Sequence, residues 1–529
     1  MPRFVVESDV CIIGSGISAA MVAERLAGER NAAIVVVEAG EETDRPAARP
    51  ALRRRYLEYG ESPWTRDHLE GYEVPGIQSR SMQVGGLAMH WGGVTPRFSP
   101  EDFKVRSLYG VGTDWPISYD DLDPWYQEAE ERIGVAGAQG PPDLDPRGRP
   151  FPQAALPLTY NLKLLQEWAA KAGIPMWSQP SAKNSAPYRG RPACCRNDTC
   201  FPVCPIGAKY SPDFTWDALR KAGRVRLIPR TVVRRLHADG PSGRITRATA
   251  LDRASGQEVE FRAKTFVVAG GYVWSSHLLL CSAGGRYPNG LANGSGLVGR
   301  YLTGHRNVNG YVSLPLQLFP GMNEQHSLVT KKFMRVPRGD RYLRHDLRIW
   351  ESSVGREPRL ADQTGRLLLG DDLLADWRRR AATGAARVRA YYDVIPDRDS
   401  ALTLGPRKTA WGDPLPQLDF RDAPESASLR EGSEAAIRAL FREMARAGGG
   451  ELLSARSDPF QDHPAGGCRM GSDPSTSVTD AWGRTHDHEN LFVAGAPTSV
   501  TGGCANGTLT FCALSLRTAA EIGKEFPKR

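Results

Sequence analysis

Four cysteines fall within eleven residues, in the stretch Cys194-Cys195-Arg196-Asn197-Asp198-Thr199-Cys200-Phe201-Pro202-Val203-Cys204. Thiolates spaced this closely can converge on one soft metal centre. A zinc knuckle and a reactive-cysteine loop are the other readings. Zinc wants four ligands, and the adjacent Cys194 and Cys195 cannot easily serve one tetrahedron. Three good ligands and a spare suit a three-iron cluster better. A second set of residues lies near the far end of the chain. His463 sits in the glycine-rich run His463-Pro464-Ala465-Gly466-Gly467-Cys468-Arg469-Met470-Gly471, not on an apolar face. Asn506, in Gly502-Gly503-Cys504-Ala505-Asn506-Gly507-Thr508, opens the final helical pattern, where backbone N–H groups point outward. Taken singly, these two read as a satisfied loop histidine and a helix-capping asparagine. The third set is Gly14-Ser15-Gly16-Ile17-Ser18-Ala19, followed by Glu38. It has the spacing that cradles a dinucleotide: Gly14 for the tight turn, Gly16 for close approach of a pyrophosphate, and Ala19 for helix–strand packing. Glu38 is placed for ribose hydroxyls.

The elements around these residues give the third set its meaning. Val10-Cys11-Ile12-Ile13 is a strand, a helical pattern runs through Ala27, and Ala33 to Val37 is a second strand ending at Glu38. That is a βαβ unit, and its helix N-terminus offers N–H groups to an anion. It does not distinguish FAD from NAD. Residues 41–80 read as loop and short helix. Met82 to Gly93 places four glycines around His90-Trp91, a loop that lets backbone pass close to a flat ligand. Asp120-Asp121 starts a helix to Ile133, 137–160 is linker, and Asn161 to Ala172 is helical. Thr215 to Ala222 is a helix before strands at Arg224–Ile228 and Thr231–His237. Thr265 to Gly271 repeats the strand–glycine–helix logic and returns to the first sheet. From about 306 to 440 the pattern alternates, with strands at Asn309–Leu314, Ser327–Phe333 and Arg387–Val394. A helix from Glu425 to Arg446 follows. Leu491 to Gly495 is a strand into glycine, and Thr508 to Phe526 is an amphipathic helix.

Composition restricts the function classes. The 529 residues carry a net charge of +8, almost wholly an arginine excess, with clusters such as Arg53-Arg54-Arg55 and Arg378-Arg379-Arg380. Without an aromatic-interleaved basic stripe these are solvated faces, and no nucleic-acid partner is expected. No apolar run reaches membrane-span length. Nine cysteines, an odd number, without a secretion signal argue against a disulfide framework. The chain is expected in the cytoplasm, or in the periplasm only if co-exported with a partner subunit.

Several blocks, in order, resemble the glucose–methanol–choline (GMC) flavoprotein oxidoreductases. They are Gly14 to Ala19 with Glu38, Gly85-Gly86 to His90-Trp91, Val267 to Gly271, Val298-Gly299-Arg300 to His305, His463 to Gly471, and Leu491 to Thr510. The resemblance spans nearly the whole chain. It implies an α/β fold, a Rossmann-like FAD-binding domain interleaved with an antiparallel-sheet substrate domain. The expected FAD domain is 1–110, 211–305 and 455–529, with 111–210 and 306–454 forming the substrate domain and cysteine-rich insertion.

By that resemblance FAD is bound by Gly14, Gly16, Ala19 and Glu38, by Gly85, Gly86, His90 and Trp91, and by Val232, Gly270, Gly495 and Thr508. His463 is the base that takes a hydroxyl proton as hydride leaves for the flavin. Asn506 orients the hydroxyl. Gly507 stands where many members have proline, which suggests a looser turn. The Met89-His90-Trp91 stretch is similar both to loops that attach FAD covalently through histidine and to loops that do not. The cysteine stretch is similar to that of bacterial FAD-dependent sugar dehydrogenases, which implies a [3Fe–4S] cluster on Cys194, Cys200 and Cys204. The implied activity is oxidation of a sugar or glycoside hydroxyl, with electrons passed to a cytochrome, a quinone or a partner subunit. A small accessory subunit is a further implied partner. No Cys-x-x-Cys-His haem site occurs in the chain. The alternative is a cytoplasmic enzyme of secondary metabolism, without a cluster, acting on an aminoglycoside. A cationic substrate of that kind would need acids from the 306–440 sheet, such as Glu351 or Asp371-Asp372. A non-catalytic flavin module and an NAD-linked enzyme are less consistent with His463, Asn506 and the flavin-loop blocks.

Overall fold

The computed structural model describes residues 4–42, 48–59, 81–196, 200, 203–240, 242–319, 326–335, 343–352, 360–362, 364–409, 411–421, 424–458 and 462–529. In chain order the first elements are β1 (Phe4–Ile13), α1 (Ile17–Glu29), β2 (Ile34–Val37), α2 (Arg49–Tyr59), α3 (Val105–Tyr109), α4 (Tyr119–Ile133) and the short β3 (Ala136–Gly137) and β4 (Gln153–Ala154). Then come α5 (Tyr160–Lys171), β5 (Trp177–Ser178), α6 (Pro212–Lys221), β6 (Val225–Ile228), β7 (Thr231–Ala238), β8 (Ile245–Asp252), β9 (Glu258–Val268) and α7 (Gly271–Cys281). Next are β10 (Thr303–Leu314), β11 (Leu328–Thr330), β12 (Leu347–Ser352), α8 (Gly370–Ala381), β13 (Gly384–Asp393), β14 (Ala401–Lys408) and β15 (Pro414–Asp419). The chain closes with α9 (Pro424–Ala447), β16 (Glu451–Ser457), β17 (Asp462–Ala465), β18 (Leu491–Val493) and α10 (Thr508–Gly523).

The first sheet has the order β6-β2-β1-β9-β8-β7, and β18 also pairs with β9. Strands β6, β2, β1, β9 and β18 run parallel, while β7 and β8 form the antiparallel edge. Parallel strands covered on both faces read as continuous apolar runs. Accordingly Val10 to Ile13 and Ile34 to Val37 are all buried. Helix α1 lays its alanines on this sheet and packs against α10. Strand β9 divides its free edge: residues 258–262 pair with β8, and 266–268 pair with β18.

The second sheet is antiparallel, ordered β16-β10-β13-β12-β11-β5, with β17 also paired to β10. Alternation gives it two unlike faces. Val308, Val312, Leu347, Ile349, Ala386 and Val388 are buried with Leu162, Leu165 and Trp168 of α5 and Ile437 and Phe441 of α9. Trp168 donates its indole N–H to the Met444 carbonyl at 3.0 Å, satisfying that polar group inside the core. The opposite face carries Arg348 and Trp350 on β12 and Arg387, Arg389 and Tyr391 on β13, and it walls a cavity shared with the first sheet.

The expected domain limits differ from this arrangement. The second sheet runs to Ala465, because β16 and β17 both pair with β10, so His463 belongs to it rather than to a flavin segment starting at 455. Helix α4, expected in the substrate domain, packs on α10, and the Tyr126 hydroxyl is 2.8 Å from Thr510 Oγ1. The β14–β15 hairpin packs on α7, and Asp413 between its strands binds Arg234 of β7 at 2.5 Å. Strands β12, β14, β15, β16 and β17 and helix α8 go beyond the sequence reading. Parts of the 41–80 loop (43–47 and 60–80) lie outside the described residues.

Candidate active site

Gly14 leaves β1 with φ +99°, and a Cβ there would stand 2.6 Å from the Ala269 carbonyl oxygen. Only glycine fits this turn without strain. Gly16 precedes α1 with no side chain capping it, and a Cβ on Gly16 would meet nothing within 4 Å. Open space lies over uncapped N–H groups, which is the geometry an anion requires. The Glu38 carboxylate accepts the Ser15 N–H at 2.9 Å, the Ser15 hydroxyl at 2.6 Å and the Gly40 N–H at 2.9 Å. Burial raises its pKa above the ordinary carboxylate value, against those hydrogen bonds.

These residues line a cavity of about 690 Å³. Of the expected cofactor residues, Gly14, Gly16, Glu38, Gly86, His90, Trp91, Val232, Gly270 and Thr508 are on its wall. Ala19, Gly85 and Gly495 are not. Ala19 is fully buried between helix and sheet. Gly85 donates its N–H to Ser15 Oγ at 3.2 Å. Gly495 lets the chain pass Ser18, whose Oγ would be 2.0 Å from an added Cβ. They shape the cradle from behind.

At the other end of the cavity three side chains form a line. Strand β17 carries His463, with φ +47°, a sparsely populated conformation for a non-glycine residue. Its Nε2 lies 2.9 Å from Asn506 Nδ2, and its Nδ1 lies 2.9 Å from Nε2 of His305 on β10. Protons can be assigned from both ends of this line. The Arg348 guanidinium, a donor only, binds Asn506 Oδ1. Asn506 therefore turns its NH₂ to His463, whose Nε2 accepts. On the far side His305 Nδ1 faces the Gly502 carbonyl at 3.4 Å and donates to it. His305 Nε2 then accepts the proton of His463 Nδ1. Both constraints leave His463 neutral, with no proton on Nε2. Gly507 has φ −74°, a value proline also imposes, so the turn after Asn506 keeps the shape a proline would give it.

His305 was legible only as the end of a sequence block. Arg348, Trp350, Arg389 and Tyr391 were not anticipated, although the alternation of β12 and β13 puts all four on one face. Glu351 points the other way and accepts the Asn161 amide of α5 at 2.7 Å. Asp371 and Asp372 are exposed in the first turn of α8.

The cysteine stretch lies beside the flavin loop. The Lys209 ammonium donates to the Trp91 carbonyl and, at 2.9 Å, to the Cys200 carbonyl. Burial pulls the Lys209 pKa down to about 8. Cys200 and Cys204 are buried, and Cys194 accepts the Arg196 N–H at 3.4 Å. Burial raises the Cys194 thiol pKa, and the charges of Cys200 and Cys204 add to that rise. Among the described residues no three His, Cys, Asp or Glu side chains already form a metal-binding group. The expected ligand set is thus adjacent but not closed.

A dinucleotide cradle continuous with an imidazole base is the arrangement of an oxidoreductase that uses a nucleotide cofactor. Residues 396–515 match the GMC oxidoreductase C-terminal model. The chain is 33% identical to the fructose dehydrogenase large subunit of Gluconobacter japonicus, over 99% of both chains. It is 30% identical to 6'''-hydroxyparomomycin C oxidase of Streptomyces lividus, over 97% of this chain and 91% of that protein. Among solved structures, formate oxidase of Aspergillus oryzae RIB40 superposes with a TM-score of 0.62 at 16% identity, covering 99% of each chain. The chain belongs to the GMC oxidoreductase family.

Proposed function

We propose that this protein is a dehydrogenase that oxidises a hydroxyl of a sugar, glycoside or sugar-derived substrate to a carbonyl. The observation that carries this reading is His463 Nε2, left unprotonated by its hydrogen bonds and paired with Asn506 on the cavity wall, where a substrate hydroxyl would replace the Asn506 N–H. FAD, when bound, supplies a hydride acceptor. Gly14, Gly16 and the α1 N-terminus would hold its pyrophosphate and Glu38 its ribose. His463 Nε2 takes the hydroxyl proton, which makes carbon a better hydride donor. Asn506 Nδ2, already aimed at that nitrogen, positions the hydroxyl oxygen and stabilises the carbonyl formed.

The same reading gives Cys194, Cys200 and Cys204 to a [3Fe–4S] cluster. Its support is the chemistry of the donors, three neighbouring thiols with a backbone N–H already on one sulfur, and the Lys209 link to the flavin loop. A cluster there would supply a one-electron acceptor, and an external acceptor or partner subunit would complete the electron path. The Gluconobacter japonicus relative is by name one subunit of its enzyme.

The test is anaerobic bleaching of the flavin absorbance by a panel of sugars, glycosides, polyols and aminoglycosides, repeated in air with an artificial acceptor. If no hydroxyl compound bleaches the flavin, the reading fails. About three irons per chain, lost in Cys200→Ser, are expected. Iron-free yellow protein from an anaerobic preparation removes the cluster from the proposal.

A further inference from the structure

The second sheet brings two facing arginines, Arg348 and Arg389, to the substrate end of the cavity, and the acid beside them, Asp346, is buried and already bound to Arg348. The sheet's contribution to the wall includes Arg348, Trp350, Arg387, Arg389 and Tyr391 and contains no carboxylate. Two carboxylates do line the cavity, and both are engaged elsewhere. Glu38 binds Ser15 and Gly40 at the dinucleotide end, and Asp413 binds Arg234 and Arg235.

Arg348 and Arg389 are directly opposite in the β12–β13 register. Like charges in that relation repel and weaken a sheet. Arg348 is 0% exposed. Its Nε binds Asp346 at 3.0 Å and its Nη2 binds Asn506, yet Nη1 is buried without a hydrogen-bond partner. Arg389 Nε is buried without a hydrogen-bond partner, and the charge it shares with Arg348 is offset, among the described residues, only by the one Asp346 carboxylate. The Arg389 guanidinium carbon lies 4.1 Å from the Tyr391 ring centre and 4.9 Å from that of Trp350. A buried donor left unpaired costs free energy, more so when it is charged. An anion between the two guanidiniums would satisfy both donors and remove the repulsion. A planar carboxylate matches the guanidinium fork, and the two rings beside Arg389 restrict where that fork can sit. Since Arg348 also grips Asn506, such an anion would be bound within one residue of the reacting hydroxyl. The pyrophosphate of the cofactor has its own cradle at Gly14 and Gly16.

We propose that the substrate is a polyhydroxy carboxylate, a sugar acid, whose carboxylate is received by Arg389 and Arg348 while His463 and Asn506 address a nearby hydroxyl. This rests on the alcohol-oxidation reading above and narrows it. It also disfavours an aminoglycoside, whose ammonium groups would face the same arginines.

The experiment compares kcat/KM of the FAD holoenzyme for glucose, glucosamine, gluconate, glucuronate and glucose 6-phosphate with one artificial acceptor. Gluconate or glucuronate is expected to exceed glucose and glucosamine at least tenfold. In Arg389→Gln, checked for flavin content and Tm, that ratio is expected to collapse through KM, and Arg389→Lys is expected to retain part of it. Glucose or glucosamine matching the acids overturns the inference while leaving alcohol oxidation intact. Preference for the phosphate ester over both acids overturns the carboxylate assignment. An equal loss on acid and neutral substrates in Arg389→Gln assigns the guanidinium to cofactor or fold and also overturns it. If nothing bleaches the flavin, the alcohol-oxidation reading itself fails.

Discussion

At the scale of single residues, the site is an exercise in placing one proton. His463 can act as a base only if its Nε2 carries no proton, and Asn506 and His305 enforce that tautomer from opposite sides. His463→Ala should keep FAD and lose at least about a hundredfold in turnover, the usual scale for a missing general base. His305→Ala should release the tautomer rather than remove the base. The expected loss is about tenfold in kcat with little change in KM, read by steady-state kinetics. Gly14→Ala places a methyl on the Ala269 carbonyl at a φ that L-residues avoid. It should yield protein with little bound flavin and a lowered Tm. His463 and Asn506 were legible through the family resemblance of the glycine-rich blocks that hold them, since taken singly each reads as structural. The arginines were not, because each occupies an ordinary alternating strand position and becomes exceptional only opposite another arginine.

At the scale of elements, the second sheet works as a partition. One side is core under α5 and α9, and the other is a charged wall. Phe441 on α9 is fully buried in that core, so Phe441→Ala should cost about 3–5 kcal/mol in denaturant unfolding. His345, next to β12, is stacked on Phe333 with ring centres 4.8 Å apart and donates from Nδ1 to the Asp346 carbonyl at 2.8 Å. Burial pulls its pKa down from 6.5 to about 4. Between those values the unfolded chain binds a proton that the native protein does not. Stability therefore falls as pH drops from about 6.5 toward 4, by at most roughly 1.4 kcal/mol per pH unit from this group. His345→Gln should make Tm fall less steeply over that range. The central strands were readable from sequence because burial on both faces makes them unbroken apolar runs. The β14–β15 hairpin was not, because its prolines and exposed face imitate a loop, and α7 is what holds it in place.

At the scale of the whole molecule, the cofactor cavity is walled by both sheets, so FAD is bound by the assembled fold and not by either half. Apoprotein should melt lower than holoprotein, and Tm should climb with added FAD. The gain is about 4 kcal/mol at a thousandfold excess over Kd, measured by thermal unfolding at several FAD concentrations. The division into two sheets was legible, since the periodicity changes near residue 306. Its limits were not, because β16 and β17 join the second sheet only through pairing with β10, far away in the chain. The divided edge of β9 bears on how the protein is made. Phe266 to Val268 are paired by β18, which is synthesised last among the strands. At about 5–20 residues per second, β18 leaves the ribosome roughly 25 to 100 s after β1. The edge itself is exposed only from the completion of β9, for roughly 11 to 45 s at that rate, and during that time the growing chain presents a short, unsaturated apolar edge to whatever else is nearby. A cell producing this enzyme thus has a reason to keep chaperones close to the nascent chain.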